Sequence, residues 1–272
     1  MLENLTLREL QIVQRHLEKV NPPPILHRYR RANEWALEEI SDSKVHVASP
    51  ADMNDPFEYQ ATLSVELEDL KEAMYCFCRE QGKNEQDARA EADSVDDKCL
   101  KMLMEGISPV RSQSGLICCS ATARSNRMWA YYADSHQGIC IGYRTEQMPF
   151  CLAMSVIYED PTQSLDLLAA LKKDPTLVGD HVSRRKGKEW EFEQEYRISV
   201  GLIPDGHTRI LPISSESIEE VRLGVKIKPK FREKVVEAVQ KLAHRPKILQ
   251  MECDMGNFML TESEVFGLPP EI

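Results

Sequence analysis

The sequence predicts a single α+β domain, residues 1–272, with a helix-rich insertion. Segments with the two-residue apolar period of strands follow segments with helical periodicity, without the strict alternation of a parallel α/β fold. Apolar residues make up 42% and charged residues 29% of the chain, which is typical of a protein with a hydrophobic core. No repeat, low-complexity tract or glycine-rich linker divides the chain.

The first predicted element is an amphipathic helix over residues 5–20. Leu7, Leu10 and Leu17 recur at helical spacing. Three prolines at 22–24 end the helix, because proline lacks an amide donor and forces its predecessor out of the helical region.

The following elements form a short strand, a helix and a second strand, then a turn rich in Asp, Asn and Pro. We predict these four elements at residues 25–29, 33–40, 45–47 and 53–58. The segment 64–106 is predicted to be rich in helix and carries twelve acidic and six basic residues. It is predicted to be a solvated helical insertion and is a candidate surface for a protein partner.

The remaining segments complete the sheet and its helices. We predict strands at residues 115–120, 138–143, 154–158, 190–202, 221–227 and 248–253. We predict helices at residues 126–135, 164–173, with Ser164 as the N-cap, and 230–243.

The net charge of −10 argues against a general nucleic-acid binder, because phosphate contacts need clustered Lys and Arg. The one dense basic run comprises Arg184, Arg185, Lys186 and Lys188. It is either a solvated loop or, beside a ligand cleft, a feature that attracts anions.

Cysteine usage and hydropathy indicate a reduced, cytoplasmic protein with no membrane segment. Eight cysteines occur without a Cys-x-x-Cys motif, and no apolar run is long enough for a membrane span. His136 and Cys140 alone are too few to predict a metal site. The phosphate-binding, dinucleotide-binding, zinc-protease and serine-hydrolase motifs are absent from the sequence.

The predicted strand 190–202 carries the most informative pattern. Glu193, Glu195 and Arg197 share one face, with the two carboxylates about 7 Å apart. Each carboxylate raises the proton affinity of the other, and the arginine offsets this effect. Such a pair can bind ribose hydroxyls and stabilise an oxocarbenium-like centre. The alternative is the charged solvent face of an edge strand.

Two further segments offer candidate binding residues. On the helix 126–135, an aromatic stripe can stack on a planar ring or pack in the core; its members and neighbours are Trp129, Tyr131, Tyr132 and His136. On the first strand, His27, Arg28 and Arg30 can hold a phosphate or ribose, or pair with acidic surface groups.

Four ordered blocks resemble a bacterial family, domain-of-unknown-function family 2971. The blocks are His27 to Arg30, Asn54 to Glu58, Cys119-Ser120 through Met128 to Gly138, and Trp190-x-x-Glu193-x-Glu195-x-Arg197. Family members usually carry an aromatic residue at the position of His27 and a histidine at that of Tyr131. The layout is remotely similar to that of ADP-ribosyltransferases, which implies a mainly antiparallel sheet core and NAD as a substrate.

The resemblance also implies roles for individual residues. Glu195 would stabilise the ribosyl cation, Glu193 would orient the acceptor, and Tyr131 or Tyr132 would stack on nicotinamide. The candidate site comprises catalytic Glu193 and Glu195, with NAD-binding His27, Arg28, Trp129, Tyr131, Tyr132, His136 and Arg197.

Two function hypotheses follow. The first is a metal-free ADP-ribosyltransferase or NAD glycohydrolase with an unidentified protein or small-molecule acceptor, in phage defence or a stress response. The alternative is a non-catalytic interaction protein that binds a partner through the acidic insertion 64–106. A metal-dependent nucleic-acid enzyme is disfavoured by the acidic charge and by the absence of an aspartate cluster.

Overall fold

A computed structural model describes most of the chain. It covers residues 20–60, 63–107, 109–161, 163–174, 176–204 and 206–265. The helix predicted at residues 5–20 therefore lies outside the described residues except for its last position.

The described strands and helices follow in chain order. The strands are β1 (Ile25–Arg30), β2 (Lys44–His46), β3 (Leu63–Ser64), β4 (Ser114–Ser120), β5 (Ile139–Arg144), β6 (Met154–Ser155), β7 (Ile157–Glu159), β8 (Leu165–Asp166), β9 (Arg185–Gly187), β10 (Glu195–Leu202), β11 (Ile210–Pro212), β12 (Ile218–Leu223), β13 (Lys247–Asp254) and β14 (Met259–Glu264). The α-helices are α1 (Glu34–Ser41), α2 (Leu67–Glu80), α3 (Glu85–Asp93), α4 (Asp97–Ile107), α5 (Pro109–Gln113), α6 (Asn126–Tyr132), α7 (Leu167–Lys173), α8 (Thr176–Arg184) and α9 (Pro229–Gln240). Short 3₁₀ turns lie at Pro50–Asp52, Phe150–Leu152, Lys188–Glu193 and Ser215–Ser217.

The central sheet has eight strands in the order β14-β13-β12-β5-β1-β4-β10-β6. Its ladders are antiparallel except for the parallel pair β12 and β13, which α9 connects. A parallel pair needs such a crossover, because a tight turn can join only antiparallel neighbours. The prediction of an α+β fold with a mixed, mainly antiparallel sheet is confirmed.

The two faces of the sheet bury different side chains. One face packs Leu26, Ile141 and Val221 against α1 and α9, which contribute Ile40 and Val239. The opposite face packs a smaller apolar group beneath α6, and its buried members include Tyr29, Trp129, Cys140, Met251 and Leu260. Because side chains alternate across a strand, the even positions of β1 point to the first face and the odd positions to the second.

A gap opens inside the sheet between β1 and β4. Strand β1 pairs with β5 along all six of its residues, whereas its registered pairing with β4 is limited to His27 and Ser120. Residues 28–30 therefore diverge from the middle of β4. This gap positions the site described below.

The strand predicted at residues 190–202 begins only at Glu195, which corrects its N-terminal half. Residues Lys188–Glu193 form a 3₁₀ turn, and Gln194 has a left-handed φ of 45°. The alternating sequence imitates a strand, but the turn carries Glu193 towards the buried side chain of Lys186. Glu193 and Glu195 meet there through the turn and not through the two-residue period of one strand.

The helix predicted at residues 126–135 ends at Tyr132. Asp134, Ser135 and His136 then adopt positive φ values of 52°, 52° and 71°. The chain must turn sharply here because Gly138 passes close to β1: a Cβ atom on Gly138 would lie 2.0 Å from the carbonyl oxygen of Arg30.

Other boundaries differ less. Asp166, and not Ser164, caps α7, and its side chain accepts a hydrogen bond from the amide of Ala169. Strand β12 spans residues 218–223, so it begins and ends earlier than the predicted strand at 221–227. Strand β14 was not predicted, because its sequence Met-Leu-Thr-Glu-Ser-Glu contains only two apolar residues.

The acidic segment 64–106 is mostly helical, with α2, α3 and α4 joined by short connections. Its described side chains bury few apolar groups, among them Cys78, Ala88, Ala92 and Val95. Within the described residues, no helix combines the length and apolar character needed to cross a bilayer.

Candidate functional site

Five charged side chains form a buried network at the start of β10. Glu58, Lys186, Glu193, Glu195 and Arg197 are each at most 7% exposed, and we call them the carboxylate cluster. They come from the Asn54-to-Glu58 turn, β9, the 3₁₀ turn and β10. Burial of so many charges is tolerable only when each has partners of opposite charge.

Arg197 connects two of the carboxylates. Its Nη1 and Nη2 atoms donate to Glu58 at 2.6 and 2.9 Å, and its Nε and Nη2 atoms donate to Glu195 at 2.9 and 2.8 Å. Nη1 also donates to the carbonyl oxygen of Ser183 at 2.7 Å. The guanidinium is thus saturated by protein groups and serves to fix the two carboxylates.

Lys186 joins the third carboxylate to the others. Its Nζ atom donates to Glu193 at 2.6 Å and to Glu195 at 3.3 Å, and it lies 3.7 Å from Glu58. Burial lowers the pKa of Lys186, but the three surrounding carboxylates raise it overall. The ammonium therefore stays charged.

The pKa values of the two neighbouring glutamates are shifted in opposite directions. Burial raises the pKa of Glu195, but the charges of Arg197 and Lys186 outweigh burial and bring it to about 2. Burial and the negative charge of Glu195 raise the pKa of Glu193 above its ordinary value. Two carboxyls held at different proton affinities can divide the work of charge stabilisation and proton transfer.

A tyrosine extends the network towards solvent. The hydroxyl of Tyr132 donates to Glu193 at 2.5 Å and accepts from the amide nitrogen of Asn54 at 2.9 Å. A second tyrosine supports the start of β10, because the backbone N–H of Glu195 donates to the hydroxyl of Tyr158 at 2.7 Å.

A small hollow of about 190 Å³ lies in the gap between β1 and β4. Its lining includes three members of the carboxylate cluster together with Arg28 and Tyr132. The hollow adjoins a large cleft of about 830 Å³, and the two share the lining residues Tyr29, Arg30, Met53, Asn54 and Tyr132.

Aromatic and cationic side chains line the large cleft. Two of the chain's three tryptophans, Trp35 and Trp190, line it. Trp190, Phe192 and Tyr131 form a continuous row with ring centroids 6.0 Å apart at each step. Arg127 lies 5.0 Å from the centroid of Phe192 and also lines the cleft.

Residues 128–198 match the family described as Protein of unknown function (DUF2971). This part of the chain is similar to that family, and we call residues 128–198 the matched segment. No curated protein and no solved structure matches the chain.

The matched segment contains most of the carboxylate cluster. Lys186, Glu193, Glu195 and Arg197 lie inside it, whereas Glu58 lies outside. The segment also contributes Tyr131 and Tyr132, the row of cleft aromatics and the sharp turn before β5.

Several predicted site residues come together, and others do not. Glu193, Glu195, Tyr132, His27 and Arg28 all line the small hollow. Tyr131 lines the large cleft and is 61% exposed.

Trp129 and His136 of the matched segment lie outside the lining of the hollow and the cleft, and their role in ligand binding stays a prediction. Trp129 is fully buried, and its Nε1 atom donates to the carbonyl oxygen of Ala123 at 2.8 Å. His136 stacks on Trp129 with a centroid separation of 6.4 Å. The aromatic stripe thus divides: within α6 Trp129 packs inward while Tyr131 and Tyr132 line the cleft, and His136 lies beyond the end of the helix.

Among the described residues, Arg197 donates hydrogen bonds to Glu58, to Glu195 and to the backbone of Ser183, and it lines neither the small hollow nor the large cleft. In the structure Arg197 supports Glu195, and its role as a direct binding residue stays a prediction. The prediction that it offsets the charge of the acid pair agrees with the lowered pKa of Glu195.

The basic residues of β1 are also internally paired. Arg28 donates to Glu39 at 3.1 Å and to the carbonyl oxygen of His46 at 3.1 Å. Tyr143 donates to the same carboxylate at 2.6 Å. Burial and the nearby Arg222 lower the pKa of His27 to about 3, so its imidazole is neutral at physiological pH.

Sequence reasoning missed Lys186 and Glu58 as members of the site. Both fell in segments that the sequence had singled out, the basic run at residues 184–188 and the Asn54-to-Glu58 block. Their partnership depends on contacts between residues more than one hundred positions apart, which no local pattern reveals. Within the described residues, no group of three or more His, Cys, Asp and Glu side chains is arranged to hold a metal ion.

Proposed function

We propose that the chain cleaves the bond between nicotinamide and ribose in NAD, as an ADP-ribosyltransferase or an NAD glycohydrolase. The supporting observation is the pair of unlike carboxyls, Glu193 and Glu195, in a small hollow that adjoins an aromatic cleft.

The charge of the carboxylate cluster suits this reaction. With its three carboxylates ionised and two cations present, the cluster sums to −1. As the bond from ribose C1′ to the nicotinamide nitrogen breaks, its electron pair leaves with nicotinamide and positive charge develops on the ribose. A fixed negative group, already desolvated by the protein, stabilises that charge without reorganisation. Glu195 has this role because its depressed pKa keeps it ionised.

Glu193 suits the second half of the reaction. The lone pair of a water or acceptor hydroxyl attacks C1′, and the proton that it releases needs an acceptor. The raised pKa of Glu193 brings its carboxylate closer to the proton affinity of an efficient general base. Tyr132 holds the other side of this carboxyl at 2.5 Å and defines its orientation.

The large cleft offers complementary features for the rest of a dinucleotide. Its volume of about 830 Å³ lies within the range of small-molecule sites. Trp190, Phe192 and Tyr131 provide flat surfaces for a base, and a base stacked on an aromatic ring gains about 1–3 kcal/mol. Arg31 and Arg127 line the cleft without a carboxylate partner among the described residues and are available to a diphosphate.

The test is release of nicotinamide from NAD by the purified protein. We expect wild-type turnover, and a loss of about 100-fold or more in kcat for Glu195→Gln, because one preorganised charge is removed. Glu216→Gln is the matched control, since Glu216 is exposed and distant from the cluster in sequence. Unchanged turnover in Glu195→Gln contradicts the assigned role.

A variant in the large cleft tests substrate binding without altering a residue of the carboxylate cluster. Tyr131→Ala removes an exposed ring of the cleft wall, and we expect KM for NAD to rise about tenfold with kcat largely retained. If wild-type protein releases no nicotinamide and NAD does not raise its Tm, the catalytic proposal fails and the interaction hypothesis for residues 64–106 is favoured.

A further inference from the structure

We infer that Lys186 is the positioning residue of this site: it holds the three carboxylates together and links them to the aromatic wall of the cleft. This inference rests on the proposed function for its kinetic readout and has a second readout that does not.

The contacts of the ammonium show why one side chain can have this role. Nζ lies 2.6 Å from Glu193, 3.3 Å from Glu195 and 3.7 Å from Glu58. Arg197 contacts Glu58 and Glu195, but among the described residues no hydrogen bond or ion pair joins it to Glu193. Lys186 is therefore the cation that balances Glu193 and keeps it beside Glu195 despite their like charges.

The same ammonium reaches the cleft. Nζ lies 4.9 Å from the centroid of the Trp190 ring, within the range of a cation–π contact. Trp190 continues through Phe192 to Tyr131 along the cleft wall. A ring stacked on this wall and a ribose at the carboxylates would thus be aligned by one side chain.

Backbone pairing holds Lys186 in place. Lys186 lies opposite Tyr158 in the parallel pair β7 and β9, and the hydroxyl of Tyr158 accepts from the backbone of Glu195. The charged and titratable groups that face the ammonium from the packed elements are Glu58, Tyr132, Tyr158, Glu193, Glu195 and Arg197.

The experiment compares Lys186→Met and Lys186→Arg with Lys188→Met. Lys188 is exposed and lies two residues away, so its variant controls for loss of a nearby positive charge. In steady-state kinetics with NAD, we expect Lys186→Met to lose about 100-fold in kcat with KM changed much less. The apparent pKa at which kcat falls on the acidic side of the pH profile should rise by about one unit, because the carboxyls lose a neighbouring cation. Lys186→Arg should restore part of kcat, and Lys188→Met should match wild type.

Urea unfolding at pH 5 and pH 7 gives the independent readout. Without the ammonium, the carboxyls of the folded state bind protons more tightly, so Lys186→Met should lose more stability at pH 7 than at pH 5. An equal loss at both values, or a kinetic pH profile that superposes on wild type, overturns the inference. If wild-type protein does not turn over NAD, the proposed function fails while the unfolding comparison still decides the role of Lys186.

Discussion

Replacement of Arg197 by methionine tests whether the carboxylate cluster is held together as its contacts indicate. Met approximates the length of the arginine stem and removes the charge. It leaves Glu58 and Glu195 buried without the guanidinium that makes four hydrogen bonds to their oxygens. Loss of one partner of a buried ion pair typically costs about 3–5 kcal/mol, and we expect a loss in this range at pH 7.

The loss should depend on pH with a defined sign. In the wild-type protein the pKa of Glu195 is about 2, and Arg197 makes the largest contribution among the groups that lower it. In the variant this carboxyl binds a proton more readily, and a protonated carboxyl has a smaller need for a cationic partner. The destabilisation should therefore be largest at pH 7 and should shrink towards pH 4.

The assay is urea unfolding followed by circular dichroism, with the free energy of unfolding extrapolated to water. Arg89→Met provides the control, because Arg89 and Glu85 form an exposed helical pair that water screens, so its loss should change stability little. A loss below about 1 kcal/mol for Arg197→Met at pH 7 would mean that the ion pairs of Arg197 stabilise the protein no more than exposed pairs do. That result would refute the expectation that their burial makes them costly to break.

Two further predictions concern Glu195 and Gly138. The folded-state pKa of Glu195 of about 2, against an unfolded value of about 4.3, corresponds to about 3 kcal/mol of stability that is present above pH 4.3 and lost as the pH falls towards 2. Subtracting the unfolding free energies of Glu195→Gln from those of wild type between pH 7 and pH 3 measures this contribution, and a flat difference would contradict it. Gly138→Ala places a Cβ atom 2.0 Å from the backbone oxygen of Arg30, so we expect a loss of about 2 kcal/mol or more in urea unfolding. Gly179→Ala, where nothing lies within 4 Å, should not reproduce this loss.

The sequence predicted much of the sheet, because buried strands carry their periodicity locally. Ile139 and Ile141 alternate with residues of the other face, and α9 spaces Val235 and Val239 for the same core. Strand β14 escaped prediction, since its position at the sheet edge leaves most of its side chains exposed and polar.

The candidate site was predictable only in part. Glu193 and Glu195 were identified by spacing, although a 3₁₀ turn and the left-handed Gln194 bring them together. Lys186 resembled a member of a solvated basic loop, because its burial depends on the distant Glu58 and on β10. Trp129 carried the same aromatic signal as Tyr131, and only the way α6 packs on the sheet decides that Trp129 is buried and Tyr131 is exposed.

The single registered pair between β1 and β4, His27 with Ser120, has a consequence for how such a chain can diversify. Each half of the sheet keeps its own extended ladder, β1 with β5 and β4 with β10. Side chains at the gap can therefore change in size or charge without removing a backbone hydrogen bond from either ladder. Selection for new ligands can act on this seam while the supporting scaffold retains its backbone hydrogen bonds.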